Sequence, residues 1–102
     1  MFGELADEAE RLGVVQRVSR PGEVLDDAVA YARDLAAAVS PVAMAMIKSQ
    51  VWRDCETTME QARVRAQYLL TQAKAQPDFQ EGVRSLTEKR VPSFGPYQPL
   101  NF

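Results

Sequence analysis

The sequence predicts an all-α fold of about four main helices and a short N-terminal helix, with one short orphan strand near residues 14–18 and an extended, proline-rich tail. Apolar side chains recur at helical spacing over most of the chain, which is the main sequence signal of an amphipathic helix. Serine, threonine, glycine and proline stand between these runs, where helices begin and end. A chain of 102 residues is enough for one small domain. We expect a helical domain at residues 1–90 and an extended tail at residues 91–102.

The first element is a helix from Glu4 to Leu12, which Gly13 ends because glycine readily takes the left-handed conformation found after helices. Valines dominate residues 14–18, where we expect a brief strand or extended segment. A single strand is not stable alone, since its backbone N–H and C=O groups need a neighbour. We therefore expect that a segment able to pair with it is missing upstream.

Two helices follow a turn at residues 19–22. The first, from about Glu23 to Val39, carries one continuous apolar stripe opposite its charged residues. Ser40 is suited to cap the next helix, and Pro41 to occupy its first turn, where the missing N–H is not needed. This helix, from about Pro41 to Arg53, is apolar on every side, so we expect several neighbours to bury it.

The last two helices each begin, by prediction, with a capping box. In this motif two side chains three residues apart each bond the backbone N–H of the other residue. The two pairs are Thr57 with Glu60 and Asp78 with Glu81. The first box opens a helix from about Thr57 to Lys74, and the second opens a shorter helix from about Asp78 to Arg90.

Glycine and proline shape the end of the chain. Gly82, inside the last helix, costs ~1 kcal/mol relative to alanine, so we expect another backbone or a ligand to approach closely there. From Val91 on, three prolines and Gly95 exclude a regular helix. The tail carries four apolar anchors, which are Phe94, Tyr97, Leu100 and Phe102. We expect it to pack along its own domain or to reach a neighbouring subunit, with a loose, unpacked tail as the alternative.

The charge balance argues against two classes of partner. The net charge is −2 and the isoelectric point is near 5.1, whereas a nucleic-acid-binding domain usually shows a basic excess on one face. No stretch approaches the ~18 apolar residues of a membrane span, and the segment 1–10 lacks the pattern of a secretory signal. We therefore expect neither a nucleic-acid nor a membrane partner.

The sequence contains one cysteine, Cys55, and no histidine. A lone thiol cannot form an internal disulfide, so a reducing, cytoplasmic setting is expected. The lack of histidine excludes histidine-based acid–base catalysis and histidine-containing zinc sites. As a nucleophile Cys55 would need a base, and none of the usual partners is present; a partly buried structural thiol is the favoured interpretation.

The remaining candidates for chemistry are carboxylates and one pair of cations. The sequence has no glycine-rich phosphate loop and no serine-nucleophile motif. The neighbouring carboxylates are Asp26 with Asp27 and Glu8 with Glu10. They fall on polar helix faces, where solvation is the expected role. Lys89 and Arg90 end the last helix, where the helix dipole favours cations by ~0.3–1 kcal/mol. We assign no catalytic residue and no metal ligand.

Three segments in order resemble the C-terminal helical portion of the crotonase family, the enoyl-CoA hydratase/isomerase group. The string AERLGVVQRV at residues 9–18 is similar to a short family helix that leads into a strand. Ser40-Pro41 opens an apolar helix that reaches Ile47-Lys48, as in the family. The string DFQEGVRSLTEKRVPSF at residues 78–94 resembles the closing pattern of the family, from Glu-Gly through Glu-Lys-Arg to Pro-x-Phe.

The resemblance implies a part of an enzyme of fatty-acid metabolism that acts on acyl-CoA thioesters, as a lyase or an isomerase, with no further cofactor. In the family, two backbone N–H groups stabilise the thioester oxyanion and acidic residues move protons, all within an N-terminal domain. By the resemblance this sequence begins after that domain, so we expect the chain to be inactive alone.

The C-terminal helices of the family build the oligomer interface and cover part of the CoA site. The resemblance places Lys89 as a CoA-phosphate contact. An aromatic residue often stands one turn earlier; here the position holds Leu86, a departure from the family pattern. Three interpretations remain open: a catalytically silent C-terminal part, one half of a split crotonase, and a non-enzymatic helical self-association module. The expected partners are a second copy of the chain, as in a homo-oligomer, or a crotonase N-terminal domain, with acyl-CoA only in the complete assembly.

Overall fold

The structure, a computed structural model, describes residues 2–99. Within that range the chain forms five α-helices and no strand, so the all-α fold class is confirmed. The helices are α1 (Phe2–Arg11), α2 (Val24–Ala38), α3 (Pro41–Asp54), α4 (Met59–Lys74) and α5 (Pro77–Glu88). The chain divides into two compact units, Met1–Asp34 and Leu35–Phe102. The division into a domain at 1–90 and a tail at 91–102 stays a prediction.

The predicted strand near residues 14–18 is wrong, because the backbone there closes α1 instead. Gly13 has a φ of 77° and donates its N–H to the Glu10 carbonyl at 3.0 Å. Val14 donates to the Ala9 carbonyl at 2.9 Å, and Val15 donates to the same oxygen at 3.4 Å. The bonds from Gly13 to Glu10 and from Val14 to Ala9 together form a Schellman motif. The Val14 and Val15 N–H groups are therefore used within the turn.

A tight turn leads from this segment into α2. Glu23 donates its N–H to the Arg20 carbonyl at 3.0 Å, and Gly22 has a φ of 83°. A positive φ at the third position of such a turn favours glycine, as in a type II turn. None of the α2 side chains is buried, and Leu25 is 71% exposed. The predicted apolar stripe is thus open to solvent in this chain.

The second unit is built around α4, which contacts both α3 and α5. Met46 on α3 and Leu69 on α4 form its core, and each is 4% exposed. They are the buried apolar side chains within the described part of the chain. We expected several neighbours to bury α3, but Met46 is its one buried residue among those described, and Ile47 and Trp52 are 58% and 70% exposed. The expectation is therefore wrong for most of this helix.

The caps of α3 and α4 show how local hydrogen bonds set the helix starts. The Ser40 hydroxyl accepts the Ala43 N–H at 3.1 Å, and Pro41 is the first residue of α3, as predicted. A capping box opens α4, but it joins Thr58 and Gln61, with both bonds at 3.2 Å. The predicted box one residue earlier is wrong, because the Glu60 carboxylate instead accepts a hydrogen bond from Arg63.

The predicted capping box of Asp78 and Glu81 is also wrong. Gln76 precedes α5 without a side-chain cap, and Pro77 is its first residue, so Asp78 lies inside the first turn. Asp78 accepts a hydrogen bond from the Ser40 hydroxyl, and Glu81 pairs with Arg90. Both carboxylates are therefore used in contacts between separate segments of the chain.

Two other expectations concern Gly82 and the tail. Apart from Gly82, its two chain neighbours and the adjoining backbone of α5, no atom of residues 2–99 lies within 4 Å of the place where a Cβ of Gly82 would stand, so the expected close approach is not found there. Residues 91–99 form no regular helix, as predicted, with Pro92 and Phe94 half-buried. The predicted anchors Leu100 and Phe102 lie outside the described residues.

No single helix within residues 2–99 is long and apolar enough to cross a bilayer. Only α2 and α3 taken together, as a bent pair, meet that test of length and composition.

Candidate functional site

The end of α5 carries the lysine that the sequence singled out. Lys89 donates its N–H to the Leu86 carbonyl at 3.3 Å, and Arg90 donates to the Ser85 carbonyl at 3.0 Å. These bonds form a second Schellman motif, and Lys89 occupies its left-handed position with a φ of 52° and a ψ of 47°. The Lys89 N–H is shared between the Leu86 and Ser85 carbonyls, so the Ser85 oxygen accepts from both Lys89 and Arg90, and Ser85 is only 5% exposed.

A cluster of charged groups surrounds this turn. Arg90 donates to the two carboxylate oxygens of Glu81 at 2.6 and 3.2 Å. Ser93 donates its backbone N–H to Glu81 Oε1 at 2.9 Å, and Arg90 also donates through Nε to Glu88. We call Glu81, Glu88, Arg90 and Ser93 the Glu81 clasp. The clasp joins α5 to the first residues of the tail on either side of Lys89.

The clasp lowers the pKa of Glu81, its central carboxylate. The hydrogen bonds from Arg90 and from the Ser93 N–H hold the pKa of Glu81 at about 2, below its ordinary value of 4.5. The pKa of Arg90 is raised in turn by its bonds to Glu81 and Glu88. Hydrogen bonds donated to the ionised form of a carboxylate favour that form, which is the cause of the shift.

We expect the clasp to stay closed at pH 4 and to open only as the pH approaches 2. The folded pKa of Glu81 lies below 4.5, so its stabilising contribution is complete above that value and is lost as the pH falls through about 2. The measurement is an NMR titration of the Glu81 carboxyl carbon, assigned by its loss in Glu81→Gln. A midpoint near 4.5 would contradict the clasp geometry.

Lys89 lies at the surface, between α5 and the first residues of the tail, which the clasp joins. Within residues 2–99 its ammonium forms no ion pair. Leu86, three residues earlier on α5, is also at the surface, with 80% of its area exposed. The prediction that Lys89 contacts a ligand is not tested by these contacts and stays a prediction.

The other candidates occupy solvated positions. Cys55 is exposed rather than partly buried, which corrects the sequence-based expectation, and its thiol donates to the Val51 carbonyl at 3.2 Å. It directly follows the last residue of α3. Glu8 pairs with Arg11 at 2.6 Å along α1, and that hydrogen bond lowers the pKa of Glu8. Across residues 2–99, no three Cys, Asp or Glu side chains are placed to hold a metal ion.

One groove lies within the first unit. Its volume is about 550 Å³, and its walls are mainly apolar. The residues that line it are Val14, Val15, Gln16, Arg17, Ser19, Val24, Asp27, Ala28 and Tyr31. Residues 14–17, most of the segment predicted as a strand, therefore line an open groove.

The role of Glu81 was missed because the capping-box pattern accounted for it locally. The pairing with Arg90 spans nine residues and needs the left-handed turn at Lys89, which no helical spacing predicts. The available signal was the combination of an acidic residue in the second turn of α5 with an arginine just past the end of the helix.

Comparison with known proteins gives a consistent family match. The sequence profile of the family described as Enoyl-CoA hydratase/isomerase matches residues 4–97. Over 89 residues the chain is 35% identical to a probable enoyl-CoA hydratase from Rhizobium meliloti (strain 1021). That match covers 87% of this chain and 34% of the relative, so the chain spans about a third of the length of the protein it matches.

Solved structures show the same relation. An enoyl-CoA hydratase from Polaromonas sp. JS666 matches 88% of this chain with a TM-score of 0.81 and 26% identity, and 35% of that protein is covered. An enoyl-CoA hydratase from Mycobacterium smegmatis matches 86% of the chain with a TM-score of 0.72 and 34% identity, and 34% of that protein is covered. The arrangement of helices is thus shared with part of a longer fold.

Proposed function

The chain belongs to the enoyl-CoA hydratase/isomerase family, and we propose that it serves as the C-terminal helical portion of such an enzyme, acting in assembly and as a cover for the CoA moiety of an acyl-CoA thioester. The pathway implied is fatty-acid metabolism. The proton-transfer chemistry would come from another part of the assembled enzyme, so the chain alone would be silent.

The exposure of large apolar side chains is the observation that carries the assembly role. Only Met46 and Leu69 are buried among the apolar residues of the described chain, while Val24, Leu25, Trp52 and others remain more than half exposed. Burying one such side chain completely is worth about 1.5–3 kcal/mol. An association that covered several of them would therefore stabilise this chain strongly. A second copy of the chain or a crotonase N-terminal domain would supply the missing surface.

The geometry of Lys89 supports the role at the CoA moiety. A lysine ammonium is a compact point charge suited to a phosphate oxygen, and here it lies at the surface past the end of α5. The exposed Leu86, three residues earlier, has no aromatic ring to stack on adenine. The contact would thus be mainly electrostatic, through the phosphates.

The lowered pKa values of three carboxylates that are paired with arginine argue against those groups as catalytic acids or bases. An effective general acid or base has a pKa near the working pH. Arginine hydrogen bonds lower the pKa of Glu8, Glu60 and Glu81, which keeps these groups ionised and makes them weak bases.

We expect Lys89→Ala to weaken CoA binding about tenfold, the factor that corresponds to losing one charge-assisted hydrogen bond. The measurement is calorimetric titration of CoA into the assembled protein. Lys74→Ala is the matched control, because Lys74 is an exposed lysine in the last turn of α4 and should leave CoA affinity unchanged. Equal affinities for the two variants would contradict the CoA contact.

The purified chain should not hydrate crotonyl-CoA above the buffer rate, as followed by loss of absorbance of the conjugated thioester. Turnover that copurifies with the chain and falls in Lys89→Ala would overturn the proposal that the chemistry lies elsewhere, whereas turnover that Lys89→Ala leaves unchanged would come from a contaminating enzyme.

A split enzyme is the second candidate, and the groove along residues 14–18 favours it. Its apolar wall includes Val14 and Val15, which are exposed in this chain and have strand-forming composition. The test mixes the chain with a separately expressed N-terminal portion of the Rhizobium meliloti relative. Hydration of crotonyl-CoA by the mixture, and by neither part alone, would support a split enzyme; an inactive mixture would count against it.

A further inference from the structure

Two helices of this chain end in the same motif with different residues at its left-handed position. Gly13 holds that position after α1, with a φ of 77°. Lys89 holds it after α5, with a φ of 52°, and is the non-glycine residue with positive φ in the described chain. Glycine is the usual residue there, because a Cβ crowds the following carbonyl in the left-handed conformation. Lys89 therefore needs a compensating interaction that Gly13 does not.

The Glu81 clasp supplies that interaction. Arg90, directly after Lys89, is held by both oxygens of Glu81, and Ser93 is held through its backbone N–H. Both bonds can form only if the chain reverses at Lys89, because Glu81 lies two turns back along α5. The clasp and the left-handed turn are thus geometrically dependent on each other.

Glu81, rather than Glu88, is the decisive carboxylate. Its side chain is 17% exposed and accepts hydrogen bonds from two separate residues of the turn and tail. The Glu88 side chain is 52% exposed and accepts from Arg90 alone, two residues away. An exposed pair between near neighbours restrains the backbone little, because solvent screens it and the chain between is short.

We propose that Glu81 is a positioning residue that holds Lys89 in its left-handed conformation and so fixes where the ammonium stands at the end of α5. The ligand of that ammonium, a phosphate of CoA, rests on the proposed function; the conformational role of Glu81 does not. A lysine kept at a position that favours glycine is an outlier of the kind that concentrates at functional sites.

The conformational test uses amide hydrogen exchange in two matched variants. Glu81→Gln keeps the shape of the side chain and removes its charge, and Glu88→Gln is the same change on the other carboxylate bonded to Arg90. The reporters are the Arg90 N–H, which bonds Ser85, and the Ser93 N–H, which bonds Glu81. We expect Glu81→Gln to accelerate both about tenfold, the factor for one lost charge-assisted bond, and Glu88→Gln to change them less than about twofold. Equal exchange in the two variants would overturn the inference.

A second substitution separates positioning from a general loss of structure. In Glu81→Gln/Lys89→Gly, glycine takes the left-handed conformation without a Cβ clash, so the Arg90 N–H should regain its protection. If exchange stays fast, the left-handed turn is not what Glu81 maintains, and the inference fails.

Calorimetry with CoA then distinguishes this inference from the proposed function. Positioning predicts that Glu81→Gln weakens CoA binding by a similar factor to Lys89→Ala. If Lys89→Ala alone weakens binding, Glu81 does not position the lysine for CoA. If neither variant changes CoA affinity while Glu81→Gln still opens the turn, the CoA contact is wrong and the conformational role of Glu81 stands.

Discussion

Leu69→Ala is expected to lower the free energy of unfolding by about 2–4 kcal/mol, the largest effect of any single change proposed for this chain. Leu69 lies on α4, the helix that contacts both α3 and α5, and is 4% exposed. Truncating it removes buried methyl groups and leaves a cavity that the neighbouring helices fill only partly. A small domain is stable by only a few kcal/mol, so a loss of this size should leave a large unfolded fraction.

Leu70→Ala is the matched control for this prediction. It makes the same chemical change at the next position of α4, where the side chain is 56% exposed. We expect a loss below about 1 kcal/mol, because little apolar contact is removed at an exposed site. Urea denaturation followed by circular dichroism measures both variants. Equal losses at the two positions would contradict the assignment of the core to Met46 and Leu69.

Ser40→Ala is expected to lower the free energy of unfolding by about 1–3 kcal/mol. The Ser40 hydroxyl accepts the Ala43 N–H and donates to the Asp78 carboxylate, so it joins the start of α3 to the first turn of α5. Alanine removes the helix cap and leaves a half-buried carboxylate without its hydroxyl donor. The change thus acts on two helices at once.

Thr58→Ala provides the comparison that isolates the contact with Asp78. Thr58 caps α4 in the same way, but its bonds stay within one turn and are exposed. Its loss should be about 1 kcal/mol, typical of an N-cap alone. If Ser40→Ala costs no more than Thr58→Ala in urea denaturation, the bond from Ser40 to Asp78 contributes no stability.

The helices could be predicted from the sequence because their signals are local. Apolar spacing and the residues between the runs placed all five, and Ser40 with Pro41 gave the start of α3 to the residue. The box that opens α4 was placed one residue too early, since Thr57 with Glu60 and Thr58 with Gln61 have the same spacing. The choice between the two boxes depends on which side chain already bonds another residue, and the Glu60 carboxylate accepts a hydrogen bond from Arg63.

The errors fall where the partner of a residue is distant or lies outside the chain. Asp78 bonds Ser40 across 38 positions, so no local pattern could assign it. The valines at 14–18 have the composition of a strand, but a strand needs a second strand, and their backbone closed α1 instead. Periodicity correctly gave α2 an apolar stripe, yet it cannot tell whether anything covers that stripe.

In the candidate site, too, local features could be predicted and contacts between distant residues could not. Lys89 was assigned from the family-like Glu-Lys-Arg sequence, which is a local string. The left-handed turn that carries it and the Glu81 carboxylate that bonds Arg90 emerge only when α5 and the tail are seen together.

The mass of the chain in solution, measured by size-exclusion chromatography with light scattering over a range of concentrations, tests the central claim most directly. The claim is that the exposed apolar helix faces are contact surfaces of an assembly. It predicts a mass that is a multiple of the 11.4 kDa of one chain and that rises with concentration. A mass of 11.4 kDa at every concentration, from a chain that unfolds cooperatively, would contradict it.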